Sequence, residues 1–251
     1  MNSNTLQKIR SDQPCFGTWL SLGSPVVAEL AAQCGFDWLL VDMEHGCLSE
    51  AMVLPILQAI GSAPVAVVVR VPSHDAGLIA RVLDWGADGI MAPHVRSAAE
   101  AAALVRALRY PPGGTRGYSR TVRTHQYGLN APETNEKLLL FAQIEDVKGI
   151  ENVNEIASVE GVDVLFVGPA DLKLSISSES TAPGFDEALE SVVTAARSRN
   201  IHAGILVREP NETATLLNHG FSKVAINSDL SMLRTGFLLA ATKPQLVQEK
   251  L

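Results

Sequence analysis

The sequence contains little cysteine, no cluster of basic residues and no long apolar run. Its three cysteines among 251 residues are odd in number and lack zinc-site spacing, which disfavours disulfide bonds and structural zinc. The net charge is −7, and no Lys/Arg block is present that would follow a phosphate backbone, so nucleic acid is not an expected partner. No apolar run could span a membrane, and the polar residues 1–4 do not resemble an export signal. These absences predict a soluble, cytoplasmic protein with no membrane partner.

Two further absences narrow the chemistry. None of the seven lysines lies centrally in a predicted strand, and Lys223 lies at the wrong end of the eighth strand for an imine-forming lysine. The loops after the seventh and eighth strands lack the Gly-rich phosphate-binding sequence common in barrels, so phosphosugars are poor substrate candidates.

Among the cysteines, Cys34 shares a helical face with Val27, Leu30 and Ala31, which predicts a core position.

Eight apolar, β-rich runs alternate along the chain with amphipathic helical patterns. Nothing in residues 1–251 resembles a linker or a tandem repeat, which predicts a single domain. Strands are predicted near residues 15–20, 37–43, 64–70, 88–92, 138–145, 162–168, 202–207 and 222–227. Eight such units predict a (β/α)₈ TIM barrel. A doubly wound open sheet would show the same alternation, but no Gly-rich dinucleotide turn follows any strand.

Capping residues mark several predicted helix ends. A helix start, its end and two further starts are predicted at Ser24-Pro25, Gly35, Ser97 and Asn211. One connection, residues 111–137, is much longer than the usual handful of residues between a helix and a strand. We predict that it forms a lid or an interface loop.

Polar side chains follow several predicted strands at the end where a barrel enzyme keeps its active site. They are Asp42, Glu44 and His45 after the second strand, Arg70 after the third, Glu145 after the fifth and Asp171 after the sixth. Because Glu145 and Asp171 end consecutive strands, they predict a shared divalent cation, Mg²⁺ or Mn²⁺, with Co²⁺ as a further candidate. The alternative is that each acid caps the helix that follows it.

Three of the candidates suit proton transfer or anion binding. His45 is the best candidate base, because its intrinsic pKa is near neutrality and a neighbouring carboxylate can orient it. Arg70 follows three valines, and a buried guanidinium needs either an anionic ligand or a salt bridge with Asp42 or Glu44. Asp84 lies near a helix C-terminus, where the helix dipole disfavours its charge, so we expect another residue, such as a histidine, to hold it.

The run Gly168-Pro169-Ala170-Asp171 opens a helix directly after a strand, so its backbone N–H groups can receive a carboxylate. Three other residues keep open roles. His94 is either a site residue or a structural histidine, and Arg116 faces either an anionic substrate or a neighbouring subunit. Cys47, two residues past His45, is interpreted as a packing residue rather than a nucleophile.

A set of motifs extends nearly from end to end of the chain: Gly17-Thr18-Trp19, Asp37-Trp38-Leu39-Leu40-Val41-Asp42-Met43-Glu44-His45, Arg70, Arg109-Tyr110-Pro111-Pro112, Arg116-Gly117, Gln143-Ile144-Glu145 and Val167-Gly168-Pro169-Ala170-Asp171-Leu172. In these motifs the chain resembles the HpcH/HpaI aldolase family. This family comprises metal-dependent (class II) pyruvate aldolases, including 4-hydroxy-2-oxoheptanedioate and 2-keto-3-deoxy-sugar-acid aldolases.

The resemblance implies roles for several of the motif residues. Glu145 and Asp171 would bind the metal, and pyruvate would chelate that metal. Arg70 would contact the keto oxygen, while the amides of Ala170 and Asp171 would receive the carboxylate. The remaining assigned residues are the substrate-binding Trp19, Gln143 and Gly168 and the supporting Asp42 and Glu44.

The resemblance also implies an oligomer. His45 would relay the proton together with an aspartate of a neighbouring subunit, which corresponds to Asp84. Family members are typically hexamers in which partners exchange the last barrel helix. Residues 229–242, with several leucines and a phenylalanine, would form that helix.

We therefore predict a lyase that cleaves a 4-hydroxy-2-oxo acid into pyruvate or hydroxypyruvate plus an aldehyde, through a metal-stabilised enolate. The alternatives are oxaloacetate decarboxylation, cleavage of an acyl-CoA thioester, or a non-catalytic barrel that binds a keto acid. A thioester substrate needs a basic patch, for which the chain offers Arg116, Arg120 and Arg123. Departures from the family pattern after His45, around His94 and beyond Arg116 leave the aldehyde open.

Overall fold

Eight parallel strands pair in chain order and close into a barrel, because the first strand also pairs with the last. The computed structural model describes residues 3–129 and 138–242. The strands are β1 (Cys15–Leu20), β2 (Trp38–Asp42), β3 (Ala66–Arg70), β4 (Gly89–Ala92), β5 (Leu139–Ile144), β6 (Val164–Val167), β7 (His202–Val207) and β8 (Lys223–Ser228). All eight predicted strands are present, and the predicted TIM barrel is confirmed.

A helix at the start of the chain contributes Leu6 and Ile9 to the apolar cluster inside the barrel, and the other helices follow the strands and cover its outside. They are α1 (Ser3–Ile9), α2 (Pro25–Ala32), α3 (Val53–Ile60), α4 (Ala76–Asp84), α5 (Ala98–Leu108), α6 (Val147–Glu151), α7 (Val153–Ala157), α8 (Pro169–Ser178), α9 (Phe185–Ser198), α10 (Thr213–His219) and α11 (Asp229–Ala241). In the parts of the chain that the structure describes, no helix is both long enough and apolar enough to cross a membrane.

The inside of the barrel is filled by large aromatic side chains. The rings of Trp38 and Phe141 lie 5.4 Å apart, those of Trp19 and Phe166 lie 5.5 Å apart, and Trp38 meets Phe166 edge-on at 6.0 Å. A separate, larger apolar cluster packs between the strands and the helices. Because the strands are buried on both faces, they form continuous apolar runs in the sequence. Chemistry is thereby confined to the ends of the barrel.

The end of the barrel opposite the predicted site holds a buried lysine. Lys223 is fully buried and donates hydrogen bonds to the backbone carbonyls of Ser11, at 2.6 Å, and Gln13, at 2.8 Å. Burial lowers the pKa of Lys223, as expected for a cation removed from water. Its position at the start of β8 confirms that it lies at the wrong end of the barrel for an imine-forming lysine.

Two helix starts are capped as predicted, and a third is not. The hydroxyls of Ser24 and Ser97 accept hydrogen bonds from the first turns of α2 and α5. The prediction for Asn211 was wrong, because Asn211 lies inside a short 3₁₀ turn and α10 begins at Thr213 without a side-chain cap. The local sequence does not distinguish a helix that starts after Asn211 from one that starts at Thr213, since the two positions are only two residues apart.

Two cysteines lie in places that the sequence did not predict. Cys34 is exposed rather than in the core, and Leu30 on the same helix is 65% exposed. The part of α2 that carries Leu30 and Cys34 therefore points away from the barrel, whereas Ala28 and Ala32 of the same helix are buried in the core. Cys47, interpreted as a packing residue, is also exposed, because the loop that carries it lies at the surface.

The helix predicted over residues 229–242 is present as α11. It carries a second exposed apolar surface. We call Leu233, Phe237, Leu238 and Leu239 the α11 apolar surface, and the exposed fractions of the last three are 69%, 66% and 77%.

The long connection after α5 is partly described. Arg123 donates hydrogen bonds to the backbone carbonyls of Trp85, at 2.7 Å, and Leu57, at 3.2 Å, so its guanidinium ties this segment to the helical layer. The segment also contains a short 3₁₀ turn, Arg123–Gly128. Residues 130–137 of the predicted lid or interface loop lie outside the described residues.

Candidate active site

A cavity of about 750 Å³ lies over the C-terminal ends of the strands. Eight of the predicted site residues line it together: Trp19, Asp42, His45, Arg70, Gln143, Gly168, Ala170 and Asp171. Ligand pockets in enzymes commonly have volumes of this order. The structure therefore brings together residues that are up to about 150 positions apart in the sequence, as barrel topology requires.

Arg70 is held by two acidic side chains. Its Nε and Nη2 donate to the two carboxylate oxygens of Asp42 at 2.8 and 2.7 Å, and its Nη1 lies 2.8 Å from Glu44 Oε2. β2 and β3 pair so that Asp42 and Arg70 are direct partners across the ladder. The salt bridge weighed from the sequence is therefore present, and Arg70 also lines the cavity, 5.5 Å from the ring of Trp19. Bidentate pairing fixes the direction of the guanidinium.

Asp42 also shapes the loop that carries His45. Its Oδ1 accepts hydrogen bonds from the backbone N–H groups of Glu44, at 3.1 Å, and His45, at 3.2 Å. The His45 ring is mostly exposed, and its Nε2 lies 4.0 Å from Glu44 Oε2. The loop is thus fixed to the barrel while the imidazole stays accessible to a ligand.

Glu145 is a buried carboxylate at the end of β5. Its Oε1 accepts a 2.8 Å hydrogen bond from the backbone N–H of His94, and its Oε2 accepts one of 2.8 Å from Gln143 Nε2. Burial raises the pKa of Glu145, the charges of Glu44 and Asp171 raise it further, and His94 opposes them. A carboxylate buried near two other acids has an electrostatic environment that a cation would improve.

The wall next to Glu145 leaves no space for a side chain. Register places Ile144 beside Val167, so Glu145 follows beside Gly168. A Cβ on Gly168 would lie 2.5 Å from Glu145 Oε2. Gln143 Oε1 is buried and has no hydrogen-bond partner among the described residues, so an acceptor next to the carboxylate remains unused there.

These groups fit a hard divalent cation. In the part of the chain that the structure describes, no cluster of three or more His, Cys, Asp or Glu side chains forms a complete metal cage. What the barrel offers is the buried Glu145, the Asp171 carboxylate and the unused amide oxygen of Gln143. Mg²⁺ and Mn²⁺ prefer such oxygen donors and commonly keep positions for water and substrate.

The start of α8 forms the neighbouring wall. Gly168 is its N-cap residue and Pro169 its first residue, so the backbone N–H groups of Ala170 and Asp171 lie in the first turn. Such N–H groups have no partner within the helix and favour anions. Both residues line the cavity, as the sequence predicted.

His94 lies beside two acids of the site, although it does not line the cavity. Its φ is +50°, in the left-handed region, and this conformation accompanies the hydrogen bond from its N–H to Glu145. Its ring Nδ1 lies 3.1 Å from Glu145 Oε1, and Nε2 lies 3.9 Å from Glu44 Oε1. The available signal was its position after β4, between the strands that carry Arg70 and Glu145. His94 therefore links two acids of the site.

Another residue holds Asp84, as predicted, but within the described chain that residue is an arginine rather than the histidine suggested as an example. Arg116 Nη2 donates a 2.6 Å hydrogen bond to Asp84 Oδ1, and the buried Arg116 guanidinium also stacks 4.7 Å from the ring of Tyr110. Asp84 ends α4, which leads back to the start of β4, at the end of the barrel opposite the cavity. This chain's own Asp84 therefore does not meet its own His45.

Comparison with known proteins agrees with this geometry and with the resemblance noted in the sequence. A family profile described as HpcH/HpaI aldolase/citrate lyase matches residues 15–235. The chain is 39% identical to a hydroxypyruvate/pyruvate aldolase of Paraburkholderia phytofirmans, covering 96% of this chain and 95% of that protein. It is 34% identical to a 5-keto-4-deoxy-D-glucarate aldolase of Salmonella arizonae, covering 91% of each.

Solved structures show the same relationship. A crystal structure of an HpcH/HpaI aldolase/citrate lyase family protein from Burkholderia cenocepacia superposes with a TM-score of 0.89 at 34% identity, covering 96% of this chain and 98% of that one. An HpcH/HpaI aldolase from Desulfitobacterium hafniense gives a TM-score of 0.84 at 27% identity, covering 95% and 97%. The chain belongs to the HpcH/HpaI aldolase/citrate lyase family.

Proposed function

We propose that the protein is a divalent-metal-dependent aldol lyase. It cleaves a 4-hydroxy-2-oxo acid into pyruvate or hydroxypyruvate plus an aldehyde, and it also catalyses the reverse addition. The observation that carries the proposal is the inner wall of the cavity, where Arg70, Asp171 and the start of α8 lie together. The buried carboxylate of Glu145 does not line the cavity itself but lies directly behind Gly168, close enough for the charge of Asp171 to raise its pKa. Binding and cleaving a 2-oxo acid in this way requires three features: a positively charged hydrogen-bond donor, a site for a divalent metal and a helix N-terminus that binds the carboxylate.

Each group has a role in binding the 2-oxo acid. The Ala170 and Asp171 N–H groups bind its carboxylate at the start of α8. Glu145 and Asp171 hold Mg²⁺ or Mn²⁺, with Co²⁺ as a further candidate, and Gln143 and Gly168 shape the same wall. When bound, the cation supplies Lewis-acid chemistry that polarises the 2-oxo group. Trp19 forms the apolar floor on which the ligand rests.

Breaking the C–C bond leaves negative charge on the former keto oxygen. Arg70, fixed by Asp42 and Glu44, donates to that oxygen without reorganising during the reaction. In cleavage, His45 removes the proton from the 4-hydroxyl group, the C3–C4 bond breaks to give the aldehyde and the enolate, and C3 of the enolate takes up a proton to give the 2-oxo acid. In synthesis His45 returns a proton to the new hydroxyl group, a role for which its ring is accessible and its backbone is fixed. Arg70 thus stabilises the negative charge of the enolate, and His45 transfers the proton of the hydroxyl group.

An assembly of several copies would complete the site. Asp84 lies at the opposite end of its own barrel, so we propose that it pairs with His45 of a neighbouring copy in a hexamer. The α11 apolar surface supports this proposal, since exposed leucines and a phenylalanine on one helix suit exchange between partners. We further propose that residues 1–251 form one domain and that the enzyme is cytoplasmic.

Pyruvate release tests the activity. We expect enzyme treated with a chelator to release almost no pyruvate from a 4-hydroxy-2-oxo acid, and Mn²⁺ or Mg²⁺ to restore release, measured by coupling to lactate dehydrogenase. The thermal unfolding of the chelated enzyme serves as the control for folding. Release that is unchanged by complete metal removal would contradict the metal-dependent reaction.

Mixing two inactive variants tests the shared site. We expect H45A and D84N each to lower kcat by about 10²–10⁴-fold, the usual range for loss of a general base. The amide oxygen introduced by D84N can still accept from Arg116, so this variant leaves that loop in place. Unfolded and reassembled together, the two variants should regain activity at sites that combine one intact residue from each. If verified mixed oligomers stay as inactive as either variant alone, Asp84 does not act across an interface.

The same contacts support the alternative reactions to different degrees. Oxaloacetate decarboxylation passes through the same enolate, so we expect it as a side activity. A thioester substrate has weaker support, since Arg116 is buried against Asp84 and Arg123 is bonded to backbone carbonyls. A silent keto-acid-binding barrel is less favoured, because His45, Arg70, Glu145 and Asp171 are all in place.

A further inference from the structure

His94 contacts the carboxylate of Glu145 through both its backbone and its ring, although it does not line the cavity itself. Resting on the proposed function, we propose that His94 is a positioning residue of the metal site. It holds one carboxylate oxygen of Glu145, Oε1, so that the other oxygen, Oε2, is presented to the metal. His94 touches neither the metal nor the 2-oxo acid, and it acts on metal affinity through Glu145.

The two carboxylate oxygens of Glu145 have different surroundings. Oε2 accepts a 2.8 Å hydrogen bond from Gln143 Nε2, and a Cβ on Gly168 would lie 2.5 Å from it. Because Gln143 and Gly168 both line the cavity, Oε2 is the oxygen on the cavity side. Oε1 is bonded instead to the loop after β4, where it accepts from the backbone N–H of His94 at 2.8 Å.

The donors that reach each oxygen leave only Oε2 with room for a cation. An ionised carboxylate has about four lone-pair positions, two on each oxygen. On Oε1 they face the backbone N–H of His94 and its ring Nδ1, which lies 3.1 Å away. On Oε2, Gln143 is the one donor among the described residues. Contact with Oε1 from two points therefore restricts rotation of the carboxylate and keeps the free position of Oε2 on the cavity side.

The turn that carries His94 is itself fixed. Its φ of +50° lies in the left-handed region, which histidine and asparagine adopt more readily than most residues. The next residue, Val95, donates its N–H to the backbone carbonyl of Gln143 at 3.1 Å, so two successive N–H groups bond to the end of β5. His74 Nε2 lies 2.6 Å from the carbonyl oxygen of Pro93. The ring of His94 is thus attached to a backbone with a defined direction.

The charges around the ring single out Glu145 as the acid that His94 serves. The ring lies within 4.0 Å of three acids: Glu145, Glu44 and Asp146. Glu44 and Asp146 are each paired with an arginine, at 2.8 and 2.5 Å. Within the described ranges of the chain, Glu145 makes no salt bridge with an arginine or a lysine. Its carboxylate is therefore held by His94 and remains available to a metal.

Mn²⁺ affinity, measured by electron paramagnetic resonance, tests the proposal with two variants of His94. H94G removes the ring and still allows the left-handed backbone, and H94N keeps a side-chain N–H donor on a residue that also suits this backbone. We expect H94G to weaken Mn²⁺ binding about 10–100-fold, the usual effect of losing a residue that supports a metal ligand, and H94N to recover most of the affinity. Thermal unfolding of the metal-free proteins shows whether each variant is folded.

The matched control is H219N. His219 also contacts a glutamate, with its Nε2 3.1 Å from Glu190 Oε2, but it does not line the cavity or touch Glu145. H219N should bind Mn²⁺ like the wild-type protein. A loss in H219N equal to that in H94G would mean that the effect is not specific to His94 and would overturn the proposal.

A double-mutant cycle shows whether the effect passes through Glu145. In the E145Q background, H94G should weaken Mn²⁺ binding by at most about twofold further, because the carboxylate that His94 positions is absent. Fully additive losses would contradict the proposal. So would a nitrogen coupling to Mn²⁺ in pulsed electron paramagnetic resonance that disappears in H94G, since His94 would then be a ligand itself.

The wild-type protein separates this proposal from the proposed function. If it neither binds Mn²⁺ nor releases pyruvate from a 4-hydroxy-2-oxo acid, the proposed function is refuted, and the role of His94 with it. If it does both while H94G keeps wild-type Mn²⁺ affinity, only the role of His94 is refuted.

Discussion

Replacing Glu145 with glutamine is expected to weaken Mn²⁺ binding by about 100-fold or more, because even residues that only support metal ligands are worth 10–100-fold in affinity. The fold should survive. The amide oxygen introduced by E145Q can accept from the His94 N–H, and the new NH₂ group can donate to Gln143 Oε1 if the Gln143 amide flips. Mn²⁺ affinity by electron paramagnetic resonance and pyruvate release are the measurements.

The same variant should unfold at an equal or higher temperature than the metal-free wild-type protein. Burial and neighbouring acids raise the pKa of Glu145, so keeping it ionised near neutral pH costs folding free energy in the absence of a cation. E151Q, which removes an exposed acid paired with Lys148, is the control and should change neither property. Normal Mn²⁺ affinity in E145Q would remove Glu145 from the proposed metal site.

The R70K variant should lose about 10²–10³-fold in kcat, the usual effect of removing one donor from a charge-stabilising site. Lysine keeps the positive charge, so Asp42 and Glu44 are not left as unpaired buried acids. It cannot reproduce the three fixed contacts of the guanidinium, and a donor aimed at the developing enolate oxygen is lost. Steady-state kinetics with pyruvate release, together with chemical denaturation, separates the catalytic effect from the structural one.

R81K is the matched control, because Arg81 pairs with Glu50 on the surface and does not line the cavity. It should leave kcat and stability within error of the wild-type protein. If R70K keeps wild-type kcat while its stability falls, then Arg70 is a structural ion-pair residue, which is the alternative that its contacts with Asp42 and Glu44 also allow.

The fold was predictable because its signals are local. Eight apolar runs alternate with helical patterns, several of them end in polar residues, and barrel topology then places those ends on one face. The contact between Arg70 and Asp42 was one of the alternatives that the sequence left open, and it arises in the same way, since adjacent parallel strands bring their last residues side by side. No long-range information was needed for either prediction.

Other features depend on contacts that no local pattern contains. Arg116 meets Asp84 from a segment without periodicity, 32 residues further along the chain. His94 joins the site through a left-handed backbone that its residue type does not require. Cys34 shows a third kind of failure, because helical periodicity identifies an apolar face but not whether the barrel covers it.

The buried amine of Lys223 also bears on how the chain is made. Its two carbonyl partners, in Ser11 and Gln13, lie more than 200 residues earlier in the sequence, and β1 completes the barrel only by pairing with β8. During translation, the segment with Ser11 and Gln13 leaves the ribosome among the first residues and the segment with Lys223 among the last. The nascent chain must therefore keep the edge of β1 unpaired until almost the whole protein has emerged, and this is the interval in which it depends most on protection from aggregation.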